Sequence, residues 1–157
     1  MDTIWHRECV TGRRFILKIQ PGAKIIPTLL EFAESKNLHF ASMVSAVGSV
    51  RAVEFRDILT GAHLPISEPR TRTHLVEGPL TMLGLEGNIA LDAETRKLGA
   101  QFYILGSKAS GEVVGGNLVD AEVFATCEIV LAEYLVKGIE RYRSASSGVD
   151  TLYFDEQ

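Results

Sequence analysis

The sequence predicts an α+β fold, with one principal helix after the first strand and a mainly antiparallel sheet behind it. Three observations predict it. Residues Lys24–Lys36 carry apolar side chains at helical spacing. From residue 39 onward the texture changes to short apolar stretches separated by glycines, which is the pattern of strands and turns. No Pro/Gly/Ser-rich linker, repeat or low-complexity tract divides the chain, so residues 1–157 are expected to form one domain.

The elements follow in order. In Arg13–Ile19, Phe15, Leu17 and Ile19 alternate with Arg14, Ile16 and Lys18, the period of a strand with one buried face. Pro21-Gly22 turns the chain. The helix over Lys24–Lys36 sets Ile25, Ile26, Leu29, Leu30 and Ala33 on one stripe. Pro27 belongs in its first turn, where a missing N–H costs nothing, and Asn37 caps its end. His39–Val47 and Val50–Leu59 flank Gly48-Ser49, a hairpin or a bulged connection. Leu80–Leu85 and Gly87–Leu91 follow Pro79 as strands, and Gly99–Leu105 and Val113–Val119 flank a turn at Ser107–Gly111. Val123–Leu131 fits a strand or a helix. Leu131, Tyr134, Leu135 and Ile139 suit a short helix over Leu131–Tyr142, and Thr151–Phe154 a last strand.

With 46% apolar and 23% charged residues, 157 residues can bury a core without disulfides. Cys9 and Cys127 form no C-x-x-C pair, which excludes a zinc ribbon or a thioredoxin motif and reads as structural thiols. The N-terminal MDTIWHRECVTGRR lacks a signal-length apolar run and no stretch reaches membrane-span length, so a cytoplasmic protein is expected, with no membrane partner. The formal net charge of -4 opposes stand-alone DNA binding, which draws on phosphate neutralisation. The small basic clusters Arg13-Arg14, Arg70/Arg72 and Arg141/Arg143 read as solvated surface.

Five short motifs stand in a telling order: Val47-Gly48-Ser49-Val50, Glu77-Gly78-Pro79, Gly87-Asn88-Ile89, Gly115-Gly116-Asn117-Leu118 and Thr126-Cys127-Glu128-Ile129. Each alone is weak, but together they resemble the plants-and-prokaryotes-conserved (PPC) domain family over residues 13–154. The resemblance implies the α+β fold above, assembly as a homotrimer, and a stand-alone prokaryotic protein. Family labels often read DNA-binding, but that suits members carrying AT-hooks, which set arginines in the minor groove. This chain has only Thr11-Gly12-Arg13-Arg14, half of such a hook.

Many prokaryotic members of the family resemble one another in an H-x-H pair and a G-G-H histidine, which together look like a metal site. The corresponding positions here are Gln101, Tyr103 and Asn117, all poor zinc ligands, so no metal and no cofactor is expected. Either they form a hydrogen-bonded polar pocket near a subunit interface, or, with Glu128, they bind an uncharged or anionic small molecule. Gly115-Gly116 marks a bulge or close backbone packing at an interface, and Gly48 a backbone turn.

The histidines at 6, 39, 63 and 74 show no ligand spacing; His39 reads as a core or edge residue. Leu64–Thr73, between His63 and His74, reads as an exposed mobile loop. Glu128 and Asp120 are acid/base candidates but fit pairing or exposure better, and there is no G-x-S-x-G elbow, P-loop or G-x-G-x-x-G. The leading expectation is a non-catalytic homotrimeric interaction domain, regulatory or accessory to DNA-associated complexes, with itself and other proteins as partners. A small-molecule sensor or cryptic enzyme ranks second, and direct duplex-DNA binding last.

Overall fold

The computed structural model describes residues 3–154. Its elements run β1 (Val10–Ile19), α1 (Ile25–Ser35), β2 (Phe40–Ile58), a 3-10 turn at Glu68–Arg70, β3 (Thr71–Leu91), β4 (Leu98–Ser107), β5 (Val113–Leu135), β6 (Ile139–Arg143) and β7 (Asp150–Phe154). The main sheet has the order β1-β5-β2-β3-β4, every pairing antiparallel, and β4 pairs β5 as well as β3. Strands β2 to β5 therefore close on themselves. β6 and β7 form a separate hairpin.

Closure depends on long strands that bend. β2, β3 and β5 contain 19, 21 and 23 residues, where the sequence suggested paired shorter strands. Glycine and proline mark bends inside these strands rather than their ends. Gly48 is the clearest case: its φ is +152°, and a Cβ there would lie 2.1 Å from the Thr126 carbonyl oxygen of β5. The β2–β5 register shifts between Gly48 and Val50. Gly48-Ser49 is thus a bulge within one strand.

The helix is as the periodicity predicts. Ile25, Leu29 and Ala33 are fully buried and pack with Ile19, Leu118, Ile104, Phe102 and Ile129 in one core. Asn37 adopts a left-handed φ of 53°; its amide donates to the Glu34 carbonyl, and that of Leu38 to the Ala33 carbonyl. This pair of bonds closes the helix C-terminus. At the other end Lys24 offers no side-chain cap. Asp120 of β5 supplies it, accepting the Ile26 amide at 3.1 Å, so this carboxylate is a cap and not an acid/base group.

The expected helix over Leu131–Tyr142 is absent. β5 runs on to Leu135, where Leu131 and Ala132 are buried and Leu135 is exposed, and Gly138, at a φ of 68°, turns the chain into β6. Tertiary pairing with β1 and β2 overrides the helical spacing. The tail strand is observed as β7. Leu64–Thr73 is less free than expected: Ile66 is buried and its amide donates to the Ser147 carbonyl, while Thr71 onward belongs to β3. His39 is exposed just before β2, and His74 stacks on Phe55.

Two carboxylate and thiol environments complete the frame. Glu133 is buried and accepts from the Arg13 amide at 3.0 Å, from Nε at 2.7 Å and from a terminal nitrogen at 2.9 Å, across the β1 irregularity between Thr11 and Arg14. Arg13 of the half-hook Thr11–Arg14 is therefore engaged in this ion pair. Cys127 is buried, and burial, then the Glu128 charge, push its thiol up to about 11, in keeping with a structural role.

Two predictions follow from these contacts. Gly48→Ala should cost at least about 2 kcal/mol in denaturant unfolding, whereas Gly84→Ala, with nothing within 4 Å of its new methyl, should be near neutral. Hydrogen bonds from Arg13 hold the Glu133 carboxyl below its ordinary 4.5. The stability this provides is complete above that pH and is lost as pH falls through the lower folded value. Glu133→Gln should flatten the acid side of the melting-temperature profile; an unchanged acid limb would contradict this.

Candidate functional site

Pairing of β4 with β5 builds the site. Tyr103 lies directly across from Asn117, and Gln101 projects from the same face of β4, two residues earlier. The Gln101 Nε2 donates to the Tyr103 hydroxyl at 3.1 Å. The three residues expected together are brought together. They line a cavity of about 430 Å³, closed on its other sides by Ile58, Ile66, Ser67 and the β6–β7 hairpin. That size falls within the range of small-molecule sites.

Glu128 does not join them. It is exposed and lies much farther along β5, opposite Lys18 of β1 and Val47 of β2. Sequence proximity misled here, because each step along an extended strand carries a residue about 3.3 Å away.

Gly115 and Gly116 are accounted for within the chain. The β4–β5 register passes both without a shift, so there is no bulge, and neither has a positive φ. A Cβ on Gly115 would lie 2.4 Å from the Leu105 Cδ2, and one on Gly116 would lie 2.3 Å from an Asp57 carboxylate oxygen. That Asp57 carboxylate accepts the Asn117 amide at 2.9 Å and so fixes the backbone at the pocket wall. The two glycines make room for neighbouring side chains.

The residue that sequence reasoning missed is Arg141. Read as solvated surface with Arg143, it is instead 5% exposed. It lines the cavity from β6, where its guanidinium donates to the Gln101 side-chain carbonyl and to the Asn88 side-chain carbonyl. Asn88 is held opposite Gln101 by the β3–β4 register. Nε of Arg141 is buried without an acceptor, and among the described residues no carboxylate forms an ion pair with this side chain. Burial pulls its pKa below the ordinary arginine value, only partly opposed by Asp150, Tyr103 and Asp92. The other two arginines at the cavity are neutralised, Arg56 by Glu68 and Arg143 by Asp150 at 3.5 Å.

The family model of the Plants and Prokaryotes Conserved domain, abbreviated PCC or PPC, matches residues 6–135. The chain belongs to that family. Among solved structures, a metal-containing protein from Archaeoglobus fulgidus is similar at a TM-score of 0.81 and 26% identity, covering 97% of this chain and 100% of that one. A PPC protein from Pyrococcus horikoshii gives 0.79 at 18% identity, over 98% and 99% of the two chains. A proposed DNA-binding protein from Bacteroides thetaiotaomicron gives 0.75 at 16%, over 93% and 97%. The bifunctional protein GlmU of Synechococcus sp. is 27% identical over 145 residues, 92% of this chain. The chain spans about a fifth of that curated relative's length (21%).

The metal that the PPC resemblance brings into question does not fit this donor set. Gln, Tyr and Asn offer no thiolate, imidazole or carboxylate, and the Arg141 guanidinium hydrogen-bonded to Gln101 opposes a cation electrostatically. Among the described residues no group of three His, Cys, Asp or Glu side chains is placed to hold a metal ion. Protein exposed to excess zinc and then dialysed should retain well under one ion per chain by plasma spectrometry. Stoichiometric zinc bound at Gln101, Tyr103 and Asn117 would overturn this assignment.

Proposed function

We propose that this PPC domain works by self-association as a homotrimer, as an assembly module rather than an enzyme, with any regulatory or DNA-associated role exercised through the assembled form. The observation that carries the reading is the number of exposed apolar side chains on the main sheet. Ile16 of β1 is 88% exposed, and Val47 of β2, Leu83 of β3, Leu105 of β4 and Val113 and Phe124 of β5 are all exposed too. Single apolar residues on a surface need no explanation, but a set distributed over five strands of one sheet suits a protein partner. The threefold count comes from the family resemblance.

Direct duplex binding ranks lower. The net charge of -4 opposes it, and Arg13 of the half-hook is engaged with Glu133. Among the described residues no helix is long and apolar enough to cross a membrane.

Light scattering coupled to size-exclusion chromatography should give three times the 17.2 kDa chain mass. Ile16→Asp and Leu105→Asp, both at exposed positions, should lower that mass while leaving circular dichroism unchanged. A wild-type chain that remains monomeric at high concentration would overturn the proposal.

A further inference from the structure

We infer that the cavity floored by Arg141 is a receptor for a small organic monocarboxylate. The inference is independent of the assembly proposal, because every residue it uses belongs to one chain. It begins with an imbalance. A guanidinium withdrawn from water is expensive unless paired, and the usual partner is a carboxylate. Arg141 has two neutral carbonyl acceptors, from Gln101 and Asn88, for a group that carries five N–H bonds. Its Nε–H is buried without an acceptor. The charge faces a cavity, and the cavity's remaining arginines already have their carboxylates. A buried guanidinium with no ion pair among the described residues, and with one N–H unsatisfied, asks for a negative charge.

The walls define the rest of the ligand. Ile58, Ile66, Leu118, Val119 and Val149 supply apolar surface, more than an inorganic oxoanion would use. Gln101, Tyr103 and Asn117 add neutral hydrogen-bonding groups beside the guanidinium. Arginine matches a planar carboxylate in a two-pronged geometry that a neutral amide cannot offer. The chemistry that fits is a carboxylate on a short apolar body.

Isothermal titration on the full chain at neutral pH tests this with sodium 4-methylpentanoate and phenylacetate, against 4-methylpentanamide and inorganic phosphate. At least one of the two carboxylates should bind with a dissociation constant in the millimolar range or below. The amide and phosphate should bind at least about tenfold more weakly, and Arg141→Gln should lose at least about tenfold for the carboxylate. Should that variant fail to fold, Ser67→Trp decides: Ser67 is exposed at the cavity rim, so this variant should melt like the wild type and bind no carboxylate. Absence of binding by both carboxylates, equal binding of the amide, tighter binding of phosphate, or full affinity in Ser67→Trp would each overturn the inference.

Discussion

Pairing of β4 on both of its edges is the constraint on which the rest of the molecule depends. β3 occupies one edge from Leu91 to Thr81, and the first residues of β5 occupy the other from Val113 to Leu118. Because β5 also pairs with β2, and β2 with β3, the four strands form a ring that has to curl, and curling requires long strands that bend without losing their ladders. The bend at Gly48, the cap that Asp120 offers to α1 and the face-to-face placement of Tyr103 and Asn117 all presuppose this closure. It also leaves the sheet with one surface turned to the helix and core, and another turned outward with its apolar side chains uncovered.

Much of this architecture was legible in the sequence, and the reasons differ by element. The helix stripe Ile25, Leu29, Ala33 and its Asn37 terminus depend on neighbours within four residues, so local pattern suffices. Strand continuity is another matter. Gly48 and Gly87 look like ends because glycine usually punctuates, yet here each admits a close backbone approach from a strand distant in sequence. The spacing of Leu131, Tyr134, Leu135 and Ile139 was ambiguous for the same reason: nothing local reveals that Phe15 and Ala46 will lie beside Leu131 and Ile129.

The site divided similarly. Gln101, Tyr103 and Asn117 could be placed together because strand alternation and a family pattern both located them. Arg141 could not. Its burial arises from the packing of the β6–β7 hairpin over Asn88 and Gln101, which lie 53 and 40 residues away in the chain. In sequence it is one of two arginines flanking a tyrosine, a pattern that nearly always means solvent. The counter-signal, a buried cation that forms no ion pair among the described residues, exists only in three dimensions.

The family match ends at residue 135, whereas Arg141, Arg143, Val149 and Asp150, which form one side of the cavity, come after it. The closed sheet and the β6–β7 hairpin thus bring different things to the cavity: the sheet supplies Gln101, Tyr103 and Asn117, and the hairpin supplies the charge. A substitution in the hairpin would change what is offered to a guest molecule while the ladders of the closed sheet stayed as they are.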